Sequence, residues 1–313
     1  MKRSLATAAA LALLAGEARA QAPASLQETG LYGAADGVRP DHLPFAPQYP
    51  LWSDGASKRR WIHLPPGAAV DATGPEWRFP VGTRLWKEFS VSGRKMETRF
   101  LERRAEGWTF AAYVWNAAGT EATLAPAAGA EVVGPNGTYR VPGETDCRSC
   151  HEGRSTPVLG FSLLQQAPQL QALAARGVVQ GLSPETLARP PRIAAPTAAA
   201  RAALGYLAGN CGHCHNQAGP LAGLEMTLDA ADGVAALLES TVGRPSRFLP
   251  PGASGEPLRI AAGRPDLSVL VARMRSRDPL VRMPPVGTTV VDEAGLALIE
   301  RWNRETNRKE ERP

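Results

Sequence analysis

Two cysteines set two residues apart, with a histidine directly behind them, occur twice in the chain, as Cys147-Arg148-Ser149-Cys150-His151 and Cys211-Gly212-His213-Cys214-His215. C-x-x-C-H is the attachment pattern of haem c. Each thiol adds across one vinyl group, and the following histidine is carried under the iron as its proximal ligand. Cys147, Cys150, Cys211 and Cys214 are the only four cysteines, so the spacing predicts two covalent haems with His151 and His215 on their irons. Disulfides or a thioredoxin-like C-x-x-C would use the same thiols, but neither explains a histidine in the same place twice. A shared four-cysteine zinc site fails on spacing, because 60 residues separate the pairs where zinc ribbons use about 15–20.

The surroundings agree with such chemistry. Lys2 and Arg3, the apolar run Leu5–Leu14 and Ala18-Arg19-Ala20 have the form of a secretory leader over residues 1–20, cleaved after Ala20. The apolar run is too short to span a bilayer, and no later segment is apolar enough. The expectation is a soluble periplasmic protein. Formal charge is +5, or +3 once Lys2, Arg3, Arg19 and Glu17 leave with the leader. The basic residues are scattered and several adjoin acids, so nothing points to nucleic acid.

The elements that must position the motifs differ along the chain. Residues 21–57 are rich in proline, glycine and turn-forming acids and read as a loop or arm. Short apolar-alternating runs predict strands at Arg60–Leu64, Thr83–Val91, Met96–Arg103, Trp108–Trp115 and Thr138–Val141. Six of the seven tryptophans precede residue 116, as a half-buried sheet would use them. A helix is expected over Phe161–Ala175, and residues 176–196, with four prolines, read as a linker. Thr197–Ala208 predicts a helix running up to the second motif. Asp266 and Asp292 are placed to cap two more helices, with Val291 and Leu296 set for a hydrophobic staple. The charged segment 306–313 reads as a frayed tail. The fold class expected is α+β in two domains: a β-rich haem domain over 21–175 and an all-α domain over 197–305.

Helix, Cys211-Gly212-His213-Cys214-His215, Arg282-Met283-Pro284-Pro285-Val286-Gly287 and the final helix Asp292–Trp302 together resemble the class I cytochrome c domain. The resemblance covers residues 197–305 and implies His215 proximal and Met283 distal on a six-coordinate iron. A thioether on a proline-stiffened loop suits that role, whereas Met274 falls on an apolar helical stripe with Leu270 and Val271 and reads as core, as Met226 does. A second resemblance rests on Phe79-Pro80-Val81-Gly82-Thr83-Arg84-Leu85-Trp86-Lys87-Glu88-Phe89-Ser90-Val91, followed by Gly107-Trp108-Thr109-Phe110 and a late C-x-x-C-H. It is similar to the cytochrome P460 and cytochrome c′-β group of antiparallel β-sheet haem domains. In the P460 members a lysine in the position of Lys87 is cross-linked to the haem. Strand period puts Lys87 on one face with Leu85, Phe89 and Val91. The alternatives for it are a lysine at a sheet edge, a partner of a haem propionate, a distal-pocket group or a cross-link. His63, His42, Met96 and Lys87 are candidates for the sixth position of the first iron, which is otherwise open.

The whole chain also resembles a family of exported bacterial diheme c-type cytochromes. The strings Tyr49-Pro50-Leu51-Trp52-Ser53-Asp54-Gly55-Ala56, Asn210–Asn216 and Arg282–Pro285 carry that likeness, which names no substrate. The function expected is electron transfer through two haem c groups to a redox partner protein or small-molecule donor or acceptor. The alternative is an enzyme acting on peroxide, nitric oxide or hydroxylamine at an open first haem, with the second haem as relay.

Overall fold

The computed structural model describes residues 22–33, 37–252 and 254–306. The expected leader, and the charged tail beyond Thr306, lie outside the described residues. The first half is built from β1 (Leu43–Pro44), β2 (Ser57–His63), β3 (Val70–Asp71), β4 (Arg84–Val91), β5 (Arg94–Arg104), β6 (Gly107–Trp115) and β7 (Ala122–Leu124). All but β3 form one antiparallel six-stranded sheet in the order β1-β2-β4-β5-β6-β7. A separate hairpin, β8 (Ala130–Gly134) and β9 (Gly137–Val141), leads to the first motif.

Both faces of the sheet are buried, so its strands carry apolar residues on either side. Ile62, Leu85, Leu101 and Phe110 pack on one face with Trp77, Phe79, Phe161 and Cys147. Trp61, Trp86, Phe100, Tyr113 and Trp115 fill the other, beneath Leu26 and Leu31 of the N-terminal segment. We call these the motif face and the far face. The first motif occupies α1 (Glu144–His151), whose Cys147 reaches the motif face.

The run expected as a helix from Phe161 is helical only in α2 (Leu170–Ala175), after a 3-10 turn at Ala167–Gln169. Pro168 explains the delay, since it supplies no N–H to a hydrogen bond from an earlier turn and so is accepted only in the first turn of a helix. Residues 176–196 carry β10 (Val179–Gln180), which pairs in parallel with β3, and α3 (Pro184–Ala188), capped by Ser183.

The second half holds α4 (Ala198–Asn210), α5 (Val234–Thr241), α6 (Val269–Arg275) and α7 (Glu293–Glu305), making seven helices among the described residues. Thr197 caps α4, its hydroxyl accepting from Ala200 N at 3.0 Å. Asp292 caps α7, accepting from Gly295 N at 2.9 Å. Asp266 does not cap α6. Pro265 opens a 3-10 turn that ends before the helix, and Asp266 pairs with Arg264 at 2.7 Å instead. Leu204 and Leu207 of α4 meet Leu296, Ile299 and Trp302 of α7 in a core shared with Leu237 and Ile260. The molecule is therefore a mix of antiparallel sheet and helices, and no helix among the described residues is long and apolar enough to cross a membrane.

An N-terminal arm joins the halves. The Tyr49 ring lies where a side chain on Gly205 would stand, and its carbonyl lies against Gly209, so α4 needs glycine twice on this face. Trp52 N donates to Asn210 Oδ1 at 2.7 Å. The Asp54 carboxylate accepts from Thr289 N at 2.9 Å, Thr289 Oγ1 at 2.8 Å and Val290 N at 3.1 Å.

Candidate functional site

The two motifs lie against each other. Cys214 hydrogen bonds to Cys150, which holds the Cys150 thiol well below its ordinary range and raises that of Cys214. Cys214 Sγ also donates to Ser149 O at 3.6 Å. Asn216, directly after the second motif, is buried and donates to Gly153 O at 3.1 Å and to Gly212 O at 3.0 Å. Any side chain on Gly153 would strike the His213 carbonyl, so glycine there sets how closely the motifs approach.

The histidines that follow the second cysteine of each motif, His151 and His215, are buried, and burial holds both neutral at neutral pH. Burial, and after it the Lys87 charge, brings His151 down to about 3. Its Nδ1 donates to Pro157 O at 2.6 Å, which leaves Nε2 as the free acceptor. Such a second hydrogen bond fixes tautomer and ring orientation in a histidine that serves as a ligand. Burial likewise brings His215 down to about 4, and its Nδ1 is buried without a partner.

A cavity of about 270 Å³ opens beside the second motif. Cys211, His215, Leu228, Ile260 and Met283 line it, and the arm contributes Trp52 to its wall. Met226 and Met274 line it too, although Met274 also belongs to the helical core. Three methionines therefore line this cavity, of which Met283 stands on a loop held by its N–H donating to Arg273 O at 3.0 Å.

The motif face carries a row of cations. Lys87 on β4 stands opposite Arg60 on β2 and opposite Arg99 on β5, and Lys58 lies two residues from Arg60. Arg99 is paired with Glu97 at 2.6 Å. No described carboxylate pairs with Arg60 or Lys87. Burial, then the charges of Arg60, Arg99 and Lys58, push the Lys87 amine far down, and Cys150 pulls the other way. Lys58 is pushed down to about 7, also mainly by burial. Arg60 and Lys87 line a second cavity of about 880 Å³ with Trp77, Val158 and Phe161.

These positions sort the four side chains that the sequence offered as a sixth ligand to an iron at the first motif. His42 stacks on Trp86 at 4.6 Å, on the far face. His63 alternates with Ile62 and so shares the far face with Trp61, whereas Met96 sits at the bulge between β4 and β5, its methyl beside Gly134 of the β8–β9 hairpin. The sheet stands between His42 and His63 on one side and His151 on the other. Lys87 lies on the motif face with Leu85.

Three features were not read from the sequence. The cation row needs strand register, although Lys58-x-Arg60-x-Ile62 already shows charges alternating onto an apolar face. His213 hydrogen bonds to Cys150 and lines both cavities. The third is the convergence of the arm, Asn210 and the 283–290 loop, which joins the three strings that carried the whole-chain likeness. A scan against family models, a search of curated proteins and a search of solved structures each found no match.

Proposed function

We propose that the chain is an exported diheme c-type cytochrome that passes electrons between two covalently attached haems and on to a redox partner. The observation that carries this reading is the contact between the motifs. Electron tunnelling falls steeply with distance, and here attachment sulfurs from the two motifs touch. The donor set fits the group. None of the four thiols is in a disulfide, His151 and His215 are buried and neutral, and a cavity lined by Cys211, Cys214 and His215 lies at the second motif. When bound, each haem supplies a one-electron iron couple.

The chain's own residues divide the work. Cys147 and Cys150 would hold one haem and Cys211 and Cys214 the other, with His151 and His215 as proximal ligands. Pro157 O orients His151, keeping Nε2 unprotonated. Met283 would be distal on the second haem, in a domain of class I cytochrome c type over 197–305. The β-rich 21–175 would form a P460-like first haem domain, with 176–196 linking the two. Arg60 and Lys87 would meet carboxylate groups of the first haem, since their charges have no carboxylate among the described residues. The leader over 1–20 would send the protein to the periplasm.

An alkaline pyridine spectrum of the purified protein is expected to give two haems per chain, and electron paramagnetic resonance of the ferric protein is expected to show magnetically interacting irons. One haem per chain, or two non-interacting signals, would sink the reading. Arg60 and Lys87 on the motif face, which no described carboxylate neutralises, favour a second reading, in which an open first haem binds a small substrate such as peroxide, nitric oxide or hydroxylamine. A ferrous first haem that refuses carbon monoxide would exclude it.

A further inference from the structure

The far face of the sheet carries a second cluster of ligand-type side chains, remote from both motifs. β1 pairs with β2 in the register Leu43↔Ile62, which sets His42 opposite His63. Their rings meet edge to face, with centroids 5.2 Å apart. Asp41 reaches both, its Oδ2 at 3.6 Å from His63 Nδ1 and its Oδ1 at 4.0 Å from His42 Nε2. One donor atom from each residue lies within 4.8 Å of the other two.

None of these distances is a hydrogen bond. Nδ1 of His42 and Nδ1 of His63 are both buried and have no partner, and the His42 residue is only 6% exposed. Of the two, His63 Nδ1 is the one that faces Asp41; a buried polar atom left unpaired costs about 1–3 kcal/mol, so it calls for an ion or water that satisfies it. Donors bound tetrahedrally at zinc distances of about 2.0–2.2 Å stand about 3.4 Å apart, so the cluster need contract by only a few tenths of an ångström across its two shorter separations.

We propose that Asp41, His42 and His63 form a site for a divalent late first-row cation, zinc or copper, with water completing the shell. Two imidazoles and one carboxylate are the ligands such ions prefer, whereas magnesium and calcium call for oxygen donors. The charges that face the cluster are Arg39, which pairs with Asp41 at 3.2 Å, and Arg84, near His63. Arg39 is half exposed and free to swing outward when a cation takes the carboxylate. Asp41 is also half exposed, which leaves the site open to water and to exchange.

The chain has five histidines, and the other three lie in the haem motifs. Zinc titrated alone into the chelator-stripped, haem-loaded protein is therefore expected to bind at one equivalent per chain. His63→Asn and Asp41→Asn should each weaken it roughly tenfold or more, with haem absorbance unchanged as the sign of an intact fold. Copper(II) in the same protein should show nitrogen hyperfine structure that His63→Asn removes. Failure of the wild type to bind zinc at micromolar concentration, or equal binding by both variants, would overturn the proposal. Neither result bears on the haems.

Discussion

Replacing Lys87 by methionine is expected to shift stability in opposite directions with and without an anion beside it. Lys87 faces Arg60 and Arg99 across adjacent strands. Two unit charges about 6 Å apart in an effective dielectric near 20 repel by about 3 kcal/mol, so two such neighbours favour a lysine that has given up its proton. Without an anion, the unfolded chain holds that proton to about pH 10.4 while the folded chain releases it earlier. Stability then falls as the pH drops below the unfolded value, by up to about 1.4 kcal/mol per pH unit. Lys58, pushed down to about 7, adds a contribution of the same sign between pH 7 and 10. Lys87→Met removes the Lys87 part and should stabilise the anion-free protein at pH 7 by about 1–3 kcal/mol. With a haem carboxylate against the row, the lysine stays charged, and methionine forfeits a charge-assisted bond of about 1.5–3 kcal/mol. Urea denaturation at pH 7 and 9 reads both terms, comparing the haem-loaded protein with a Cys147→Ser/Cys150→Ser form that lacks the first haem. A haem-loaded Lys87→Met that is more stable than wild type would refute the assignment of Arg60 and Lys87 to the first haem.

Glu97 is fully buried and accepts from Arg99 at 2.6 Å and from the Tyr139 hydroxyl at 2.8 Å, so Glu97→Gln should cost about 3–5 kcal/mol in urea unfolding by leaving the Arg99 charge uncompensated. Gly205→Ala drives a methyl into the Tyr49 ring and should destabilise by about 1–3 kcal/mol, a loss that Tyr49→Ala in the same chain should largely relieve. Met283→Ala should keep two haems per chain yet remove the sulfur-to-iron absorption band and lower the second haem's reduction potential. Persistence of the band would hand the role to Met274 or Met226.

What could be read from the chain depended on whether a signal was local. Strands β2, β4, β5 and β6, the Asp292 cap and the helix before Cys211 were visible because alternation and capping act within a few residues. The expected helix from Phe161 failed for an equally local reason, Pro168. By contrast, the sequence left His42, His63, Met96 and Lys87 as equals for the first iron, because which face each side chain takes depends on the sheet being covered on both sides. The packing of one motif on the other was likewise invisible, since it depends on Asn216 reaching Gly153 across 63 residues. The three strings around Trp52, Asn210 and Met283 stood out in sequence without a reason; one cavity wall and its latch supply it.

That latch also bears on timing. The bonds from Thr289 to Asp54 close a loop of 235 residues, and for a flexible chain that length costs about 5 kcal/mol of closure entropy. Contacts so remote in sequence form late in folding. The β-rich half can assemble as soon as it emerges, but Trp52 has no fixed place until nearly the whole chain is present. The cavity beside Cys211 and Cys214 thus keeps one wall open while the chain folds and closes when the last helix arrives.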